Sequence, residues 1–126
     1  MSVTVSRLGN GLAVASLPMS GLETAAVGLY IDSGSRFEAA EHSGAAHMLE
    51  HMVFKGTGRR SARAIAEAIE AVGGVLNAYT ARDQTTFYAR VLGGDVPLGV
   101  ELVSDLVVDP LLAEGEIERE RDVVLQ

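Results

Sequence analysis

Residues 75–92 read VLNAYTARDQTTFYARVL, and this stretch decides the fold class. It is rich in the β-branched and aromatic residues that favour strands. Arg82 and Asp83 interrupt it with the polar residues typical of a turn. The stretch therefore predicts two strands, Val75 to Thr80 and Thr85 to Leu92, that follow each other closely along the chain.

Helices are predicted on both sides of this strand pair. Upstream, Ser61 is a plausible N-cap, Gly73-Gly74 ends the helix, and four apolar residues recur at i, i+3, i+4 and i+7: Ile65, Ala68, Ile69 and Val72. Downstream, Asp95 with Pro97 opens a third helix that Asp109-Pro110 closes, and its apolar residues are Val100, Val103, Leu106 and Val107. A fourth helix is predicted from Glu114 onward.

Residues 1–56 predict three strands and one more helix. Gly9-Asn10-Gly11 separates two short apolar runs and is a strong hairpin signal. Thr24 to Ile31 has the character of a buried strand. Ser43 is a plausible N-cap for a helical segment from Gly44 to Phe54, which Gly56 would end.

The predicted order is β-β-β-α-α-β-β-α-α, an α+β architecture with helices packed on a largely antiparallel sheet. No linker or repeat divides residues 1–126, so we expect part of one domain. The helical pattern still continues at Gln126, without a capping residue, Gly or Pro, and this favours a truncated chain.

Composition excludes several classes of protein. The formal net charge of −7 argues against non-specific binding to nucleic acid. Cysteine is absent, which excludes disulfides and cysteine-based zinc or nucleophile sites. No apolar run approaches the roughly 18 residues of a transmembrane helix, and no signal peptide is visible at the N-terminus. These features predict a cytoplasmic protein that binds neither membrane nor nucleic acid.

The segment His47-Met48-Leu49-Glu50-His51 contains the residues best suited to bind a metal ion and activate water. On a helix, residues i and i+4 share one face, so His47 and His51 project side by side as two ligands of one metal ion must. A catalytic zinc site has about three protein ligands and an open position for water, whose proton a neighbouring carboxylate such as Glu50 can accept. The alternative is an amphipathic helix with ordinary histidines. We interpret the third histidine, His42, as a loop residue.

Residues 44–57, GAAHMLEHMVFKGT, resemble the pitrilysin/insulinase family of inverted-motif zinc peptidases, especially its processing-peptidase branch. Residues 73–80, GGVLNAYT, are similar to a strand of that family, and Asp109-Pro110 and residues 116–124 resemble its later helices. The resemblance covers essentially the whole chain. It implies a metallopeptidase-type α+β fold that binds Zn²⁺ through His47 and His51, with Glu50 as the general base.

The same resemblance assigns two further groups of residues. Asn77, Ala78 and Tyr79 would lie on an exposed edge strand to which substrate peptide adds by backbone hydrogen bonds; without the family, a plain sheet strand is the simpler interpretation. Glu120 would be an auxiliary catalytic acid beside the metal. Glu120 shares a helix face with Ile117 and Val124, which predicts a packed position, although a solvent-exposed ion pair with Arg119 or Arg121 is the alternative.

The family's third zinc ligand, a Glu, would fall at position 127, one residue beyond this chain. We therefore predict a zinc-dependent endopeptidase that hydrolyses peptides or unstructured protein segments, of which this chain alone is inactive. A companion peptidase domain or subunit would complete it. The alternatives are a non-catalytic partner subunit of a peptidase complex and a structural zinc domain, although structural sites normally have four ligands rich in Cys.

Overall fold

A computed structural model describes residues 1–125 of the chain. Its elements follow the predicted order: β1 (Thr4–Arg7), β2 (Ala13–Ser16), β3 (Thr24–Ile31), α1 (Ala45–Met52), α2 (Ala62–Ala71), β4 (Val75–Thr80), β5 (Thr85–Leu92), α3 (Val96–Val108) and α4 (Glu114–Val124). The predicted α+β fold is confirmed. Gln126, on which the prediction of truncation rested, lies outside the described residues.

The five strands form two separate antiparallel sheets. Strands β3, β5 and β4 lie in that order, and Phe87 on the central strand pairs with Leu29 on one side and Ala78 on the other. Strands β1 and β2 form the predicted hairpin, whose residues are all exposed. The core therefore lies elsewhere, between one face of the three-stranded sheet and the helices.

Alternation along β5 decides which face of the sheet is covered. Phe87 and Ala89 are 2% and 0% exposed and point toward the helices, where they pack with Val103 and Leu106 of α3. Tyr30 and Tyr79 lie on the opposite face and remain well exposed. The sheet thus supports α1 and α3 on one face only.

Helix α2 begins and ends where local chemistry predicts. The hydroxyl of Ser61 accepts a hydrogen bond of 3.1 Å from the backbone N–H of Ala64, as an N-cap should. Gly73 has a φ of 67°, a left-handed conformation that glycine adopts without a steric penalty.

The start of α1 differs from the prediction. Ser43 is not the N-cap. Gly44 occupies that position with a φ of 92°, so the N-cap residue itself makes no side-chain hydrogen bond. The carboxylate of Glu38 instead accepts hydrogen bonds of 2.7 Å each from the backbone N–H groups of Gly44 and Ala46. Glycine adopts this left-handed conformation readily, but it has no side chain that could accept a hydrogen bond. The cap is therefore provided by a side chain from outside the helix, that of Glu38.

No helix within residues 1–125 has both the length and the apolar character needed to cross a bilayer.

Candidate metal centre

The two motif histidines face each other across one turn of α1. Their Nε2 atoms lie 3.1 Å apart, and the ring planes are nearly perpendicular at 84°. His47 is exposed and His51 half-buried, so the pair opens toward solvent. Since the site ends in two converging imidazole nitrogens, it presents the donor atoms that first-row metals prefer.

Glu120 fixes the ring of His51. Its Oε1 lies 2.7 Å from Nδ1 of His51, and an ionised carboxylate can only accept a hydrogen bond. Nδ1 therefore carries the proton, and the lone pair of Nε2 points toward His47. A carboxylate on the outer nitrogen of a histidine is the usual support of a metal-ligating imidazole.

The surroundings of Glu120 explain how a carboxylate is tolerated there. Glu120 is 7% exposed, and its second carboxylate oxygen, Oε2, accepts a hydrogen bond of 3.0 Å from Nζ of Lys55. The pKa of the Glu120 carboxyl is held below its usual value by these two hydrogen bonds. The one from Lys55 has the larger effect, and the one from His51 has the next largest. The predicted packed position is thus observed. The alternative, an exposed ion pair between Glu120 and Arg119 or Arg121, is not observed. Arg119 pairs with Glu116 instead.

Glu50 lies on α1 between the two histidines, three residues after His47 and one before His51. It is half-buried and lines a largely apolar cavity of about 530 Å³ between α1, the sheet and the end of α3. Leu49, Val53 and Phe87 form part of the same wall. Glu50 thus has its carboxylate beside a cavity that could hold part of a substrate.

Strand β4 forms one edge of the sheet and lies beside α1. Within residues 1–125 it pairs only with β5, and the hydroxyl of Thr80 reaches the backbone oxygen of Ala46 at 3.4 Å. The N–H of Ala78 donates to Oδ1 of its neighbour Asn77 at 2.8 Å, so it points away from β5 and toward the open edge. Ala78 can offer an added strand only its backbone, since its side chain is 7% exposed. The side chains of Asn77 and Tyr79 lie on the face without helices.

The geometry of the two histidines can be tested against zinc. With Zn–N distances of about 2.0–2.1 Å and tetrahedral angles, two ligand nitrogens are separated by roughly 3.3–3.4 Å. The observed Nε2 separation of 3.1 Å is close to this value, and the protonated Nδ1 leaves Nε2 of His51 free to ligate. Among residues 1–125, however, no third His, Cys, Asp or Glu joins the pair to form a complete set. The residues present fit two ligands of a zinc site.

The structure adds two residues to the neighbourhood that the sequence analysis missed. Lys55 lies four residues after His51, and this spacing on a helix face was an available signal. Glu38 carried no comparable signal, because it caps α1 from outside the helix and from six residues before Gly44.

Comparison with known proteins agrees with this geometry. Residues 13–126 match the model of the family described as Insulinase (Peptidase family M16). This chain belongs to the insulinase family. The resemblance inferred from the motif is therefore confirmed.

Individual insulinase-family relatives are similar over almost the whole chain. The mitochondrial-processing peptidase subunit beta of Lentinula edodes is 50% identical over 122 residues, which are 97% of this chain and 26% of that protein. The protein of the same name from Mus musculus is 51% identical, with 97% and 25% covered. An uncharacterized zinc protease of Mycobacterium bovis is 50% identical over 119 residues, with 94% and 27% covered.

A solved structure shows the same fold. The crystal structure of a protease from Helicobacter pylori superimposes with a TM-score of 0.92 at 33% identity, covering 98% of this chain and 30% of that one. This insulinase-family chain thus spans about a quarter of the length of the curated relatives it matches.

These names correct one prediction. Relatives from Lentinula edodes, Arabidopsis thaliana and Mus musculus are named as mitochondrial-processing peptidase subunits, so the prediction of a cytoplasmic protein is wrong. That prediction rested on the first few residues of the chain, and such residues do not determine a compartment.

Proposed function

We propose that this chain is part of the catalytic domain of a zinc-dependent endopeptidase, and that it supplies two of the metal ligands and the general base. The observation that carries the proposal is the convergence of the His47 and His51 Nε2 atoms at 3.1 Å, with Glu120 hydrogen-bonded behind His51. A surface helix with ordinary histidines has no reason to bury a carboxylate behind one of them.

In this proposal His47 and His51 would hold zinc through Nε2. When bound, the ion would lower the pKa of a water molecule toward neutrality. Glu50, one residue before His51 and three after His47, would be the general base for the attacking water. Glu120 acts through His51 by holding its ring in place.

The substrate in this proposal is a peptide or an unstructured protein segment. Such a segment adds to the free edge of β4, where the backbone of Ala78 faces outward beside α1. Backbone pairing of this kind tolerates many sequences. Before pairing with Ala78, the segment displaces the side-chain oxygen of Asn77 from the Ala78 N–H.

The third ligand and a companion domain or subunit lie outside this chain in the proposal. Residues 1–125 contain no group that completes the histidine pair, and the relatives are about four times as long. The relatives named as subunits of a processing peptidase support a companion. This chain by itself is accordingly expected to be inactive.

The decisive experiment is Glu50→Gln in the full-length protein, assayed on an unstructured peptide and for zinc content. We expect hydrolysis to fall by about 10²–10⁴-fold, the usual contribution of a general base, while zinc stays bound. Glu70→Gln, an exposed substitution on α2, is the matched control and should leave hydrolysis unchanged.

The same assay separates the proposal from a non-catalytic partner subunit. If the wild-type full-length protein binds zinc but cleaves no peptide even with companion chains present, the subunit alternative is correct. If Glu50→Gln retains full turnover, the role given to Glu50 is wrong.

A further inference from the structure

Lys55 occupies an unusual position for a lysine. It is the only lysine of the chain, and it lies at the end of the short 3₁₀ turn that follows α1. His47, His51 and Lys55 are spaced four residues apart and so follow one face of this helical segment. The ammonium group thereby comes within reach of the carboxylate that α4 brings to His51.

Glu120 is held at both oxygens. Oε1 accepts from Nδ1 of His51 at 2.7 Å, and Oε2 accepts from Nζ of Lys55 at 3.0 Å. With His51 alone, the carboxylate could rotate about its terminal bond and swing Oε1 away from the ring. The second hydrogen bond restricts that rotation, because each of the two donors holds a different oxygen of the carboxylate.

The hydrogen bond from Lys55 matters because the Glu120 carboxylate is buried. The side chain of Glu120 is 9% exposed, whereas that of Lys55 is 37% exposed. A buried carboxylate oxygen without a donor is strongly unfavourable, because it has lost its hydrogen bonds to water and gained none in return. The lysine is therefore the donor that satisfies the second oxygen of this buried carboxylate.

We infer that Lys55 is a positioning residue of the metal centre: by holding Oε2 of Glu120, it keeps Oε1 on Nδ1 of His51 and so keeps the Nε2 lone pair of His51 turned toward His47. That this lone pair ligates zinc rests on the proposed function. The positioning itself is a property of the metal-free chain and can be tested there.

The rival explanation is a surface ion pair without consequence for His51. Ion pairs at exposed sites contribute little to stability and often nothing measurable. The chain offers a matched example in Arg63 and Glu67, an exposed pair on α2 with 2.6 Å between Nε and Oε1. Arg63→Met is the control for loss of a cation alone.

The test measures the protonated ring nitrogen of His51 in the metal-free chain. Long-range ¹H–¹⁵N spectra, recorded well above the usual histidine pKa of about 6.5, distinguish the two neutral forms of each imidazole. We expect His51 to be the Nδ1–H form in the wild type and in Arg63→Met. Lys55→Met should give a mixture that contains the Nε2–H form, and Lys55→Arg should restore the wild-type spectrum.

A second arm avoids any folding defect of Lys55→Met. Acetylation of the folded wild-type chain neutralises Lys55 and the N-terminal amine, since the chain has no other lysine. Acetylated Lys55→Arg reacts only at the N-terminus and is the control. We expect the His51 spectrum to change in the first sample and not in the second. An unchanged spectrum after neutralisation of Lys55 in both arms would overturn the inference, and it would leave the proposed peptidase function untouched.

Discussion

The carboxylate of Glu38 accepts a hydrogen bond of 2.7 Å from the backbone N–H of Ala46, and a second one of the same length from Gly44. A loop residue thus satisfies two of the four free N–H groups at the start of the helix that carries His47 and His51. Its negative charge also lies at the positive end of the helix dipole. Glu38 therefore connects the loop after β3 to the candidate metal centre.

The first prediction concerns this cap. Glu38→Ala leaves both N–H groups without an acceptor, so we expect a lower midpoint of thermal unfolding, followed by circular dichroism. Glu41→Ala, an exposed residue three positions later, is the control for loss of a nearby negative charge and should leave the midpoint unchanged. Equal effects of the two substitutions would show that general charge, and not the cap, stabilises the helix.

The second prediction follows from the pKa of the same group. The hydrogen bond from Ala46, and next that from Gly44, lower the pKa of Glu38 below its usual 4.5. A carboxyl whose pKa is lower in the folded state stabilises the fold fully above its unfolded pKa, and this contribution disappears as pH falls through the folded pKa. Urea unfolding across pH should therefore show wild type more stable than Glu38→Ala above about pH 4.5 and a shrinking difference below it. A difference that persists at the lowest pH would contradict this cause.

The third prediction compares two neighbouring threonines on β5. Thr86 is 2% exposed, and its hydroxyl has no hydrogen-bond partner within residues 1–125. Thr85 is also buried, but its hydroxyl donates to the backbone oxygen of Ser33 at 2.8 Å. Since a buried unpaired hydroxyl is unfavourable and a paired one is not, Thr86→Val should raise the free energy of unfolding by about 1 kcal/mol and Thr85→Val should lower it by about 1 kcal/mol.

Chemical denaturation of the two valine variants measures both changes. Each variant serves as the other's control, because the chemical change is identical and the positions are adjacent on one strand. The same sign for both would show that shape, and not hydrogen bonding, decides the result.

Local signals made part of this structure predictable. The ends of α2 are set by Ser61 and Gly73, through interactions that act within a few residues. The apolar residues between them recur at the spacing of a helix, and this predicts the element itself. The pairing of His47 with His51 is equally local, since helix geometry alone sets it. The packed position of Glu120 was predictable because Ile117 and Val124 share its helix face.

Contacts between distant segments were not predictable in the same way. The bond between Lys55 and Glu120 exists only because α4 docks against α1, and no pattern within either segment encodes that docking. Ser43 has the chemistry of an N-cap, but the left-handed Gly44 moves the start of the helix and Glu38 takes over the role. The hairpin of β1 and β2 was predicted from its turn, whereas its exposure depends on what packs nearby.

The fourth prediction concerns Gly34, which lies at the end of β3 beside the turn between β4 and β5. A Cβ atom there would collide with the backbone oxygens of Ala81 and Arg82. The following residue, Ser35, donates its N–H to the oxygen of Ala81 at 3.2 Å, so the two segments cannot separate without losing this bond. Gly34→Ala should lower the free energy of unfolding by about 1–3 kcal/mol, the usual cost of overpacking.

Urea denaturation tests this value against Gly9→Ala. A Cβ atom at Gly9 meets no heavy atom within 4 Å, so that variant should unfold like the wild type. A stable Gly34→Ala variant would mean that the two backbone segments move apart at little cost.

The last prediction concerns zinc itself. The chain offers two imidazoles and, within residues 1–125, no third ligand. Two neutral ligands leave the charge of the ion to be balanced by water alone, so calorimetric titration should show weak binding of zinc or none. His51→Ala should abolish any binding that is seen, while His42→Ala, a substitution outside the motif, should not change it. Nanomolar affinity would contradict the prediction, because it would require a further ligand from within this chain or from a second copy of it.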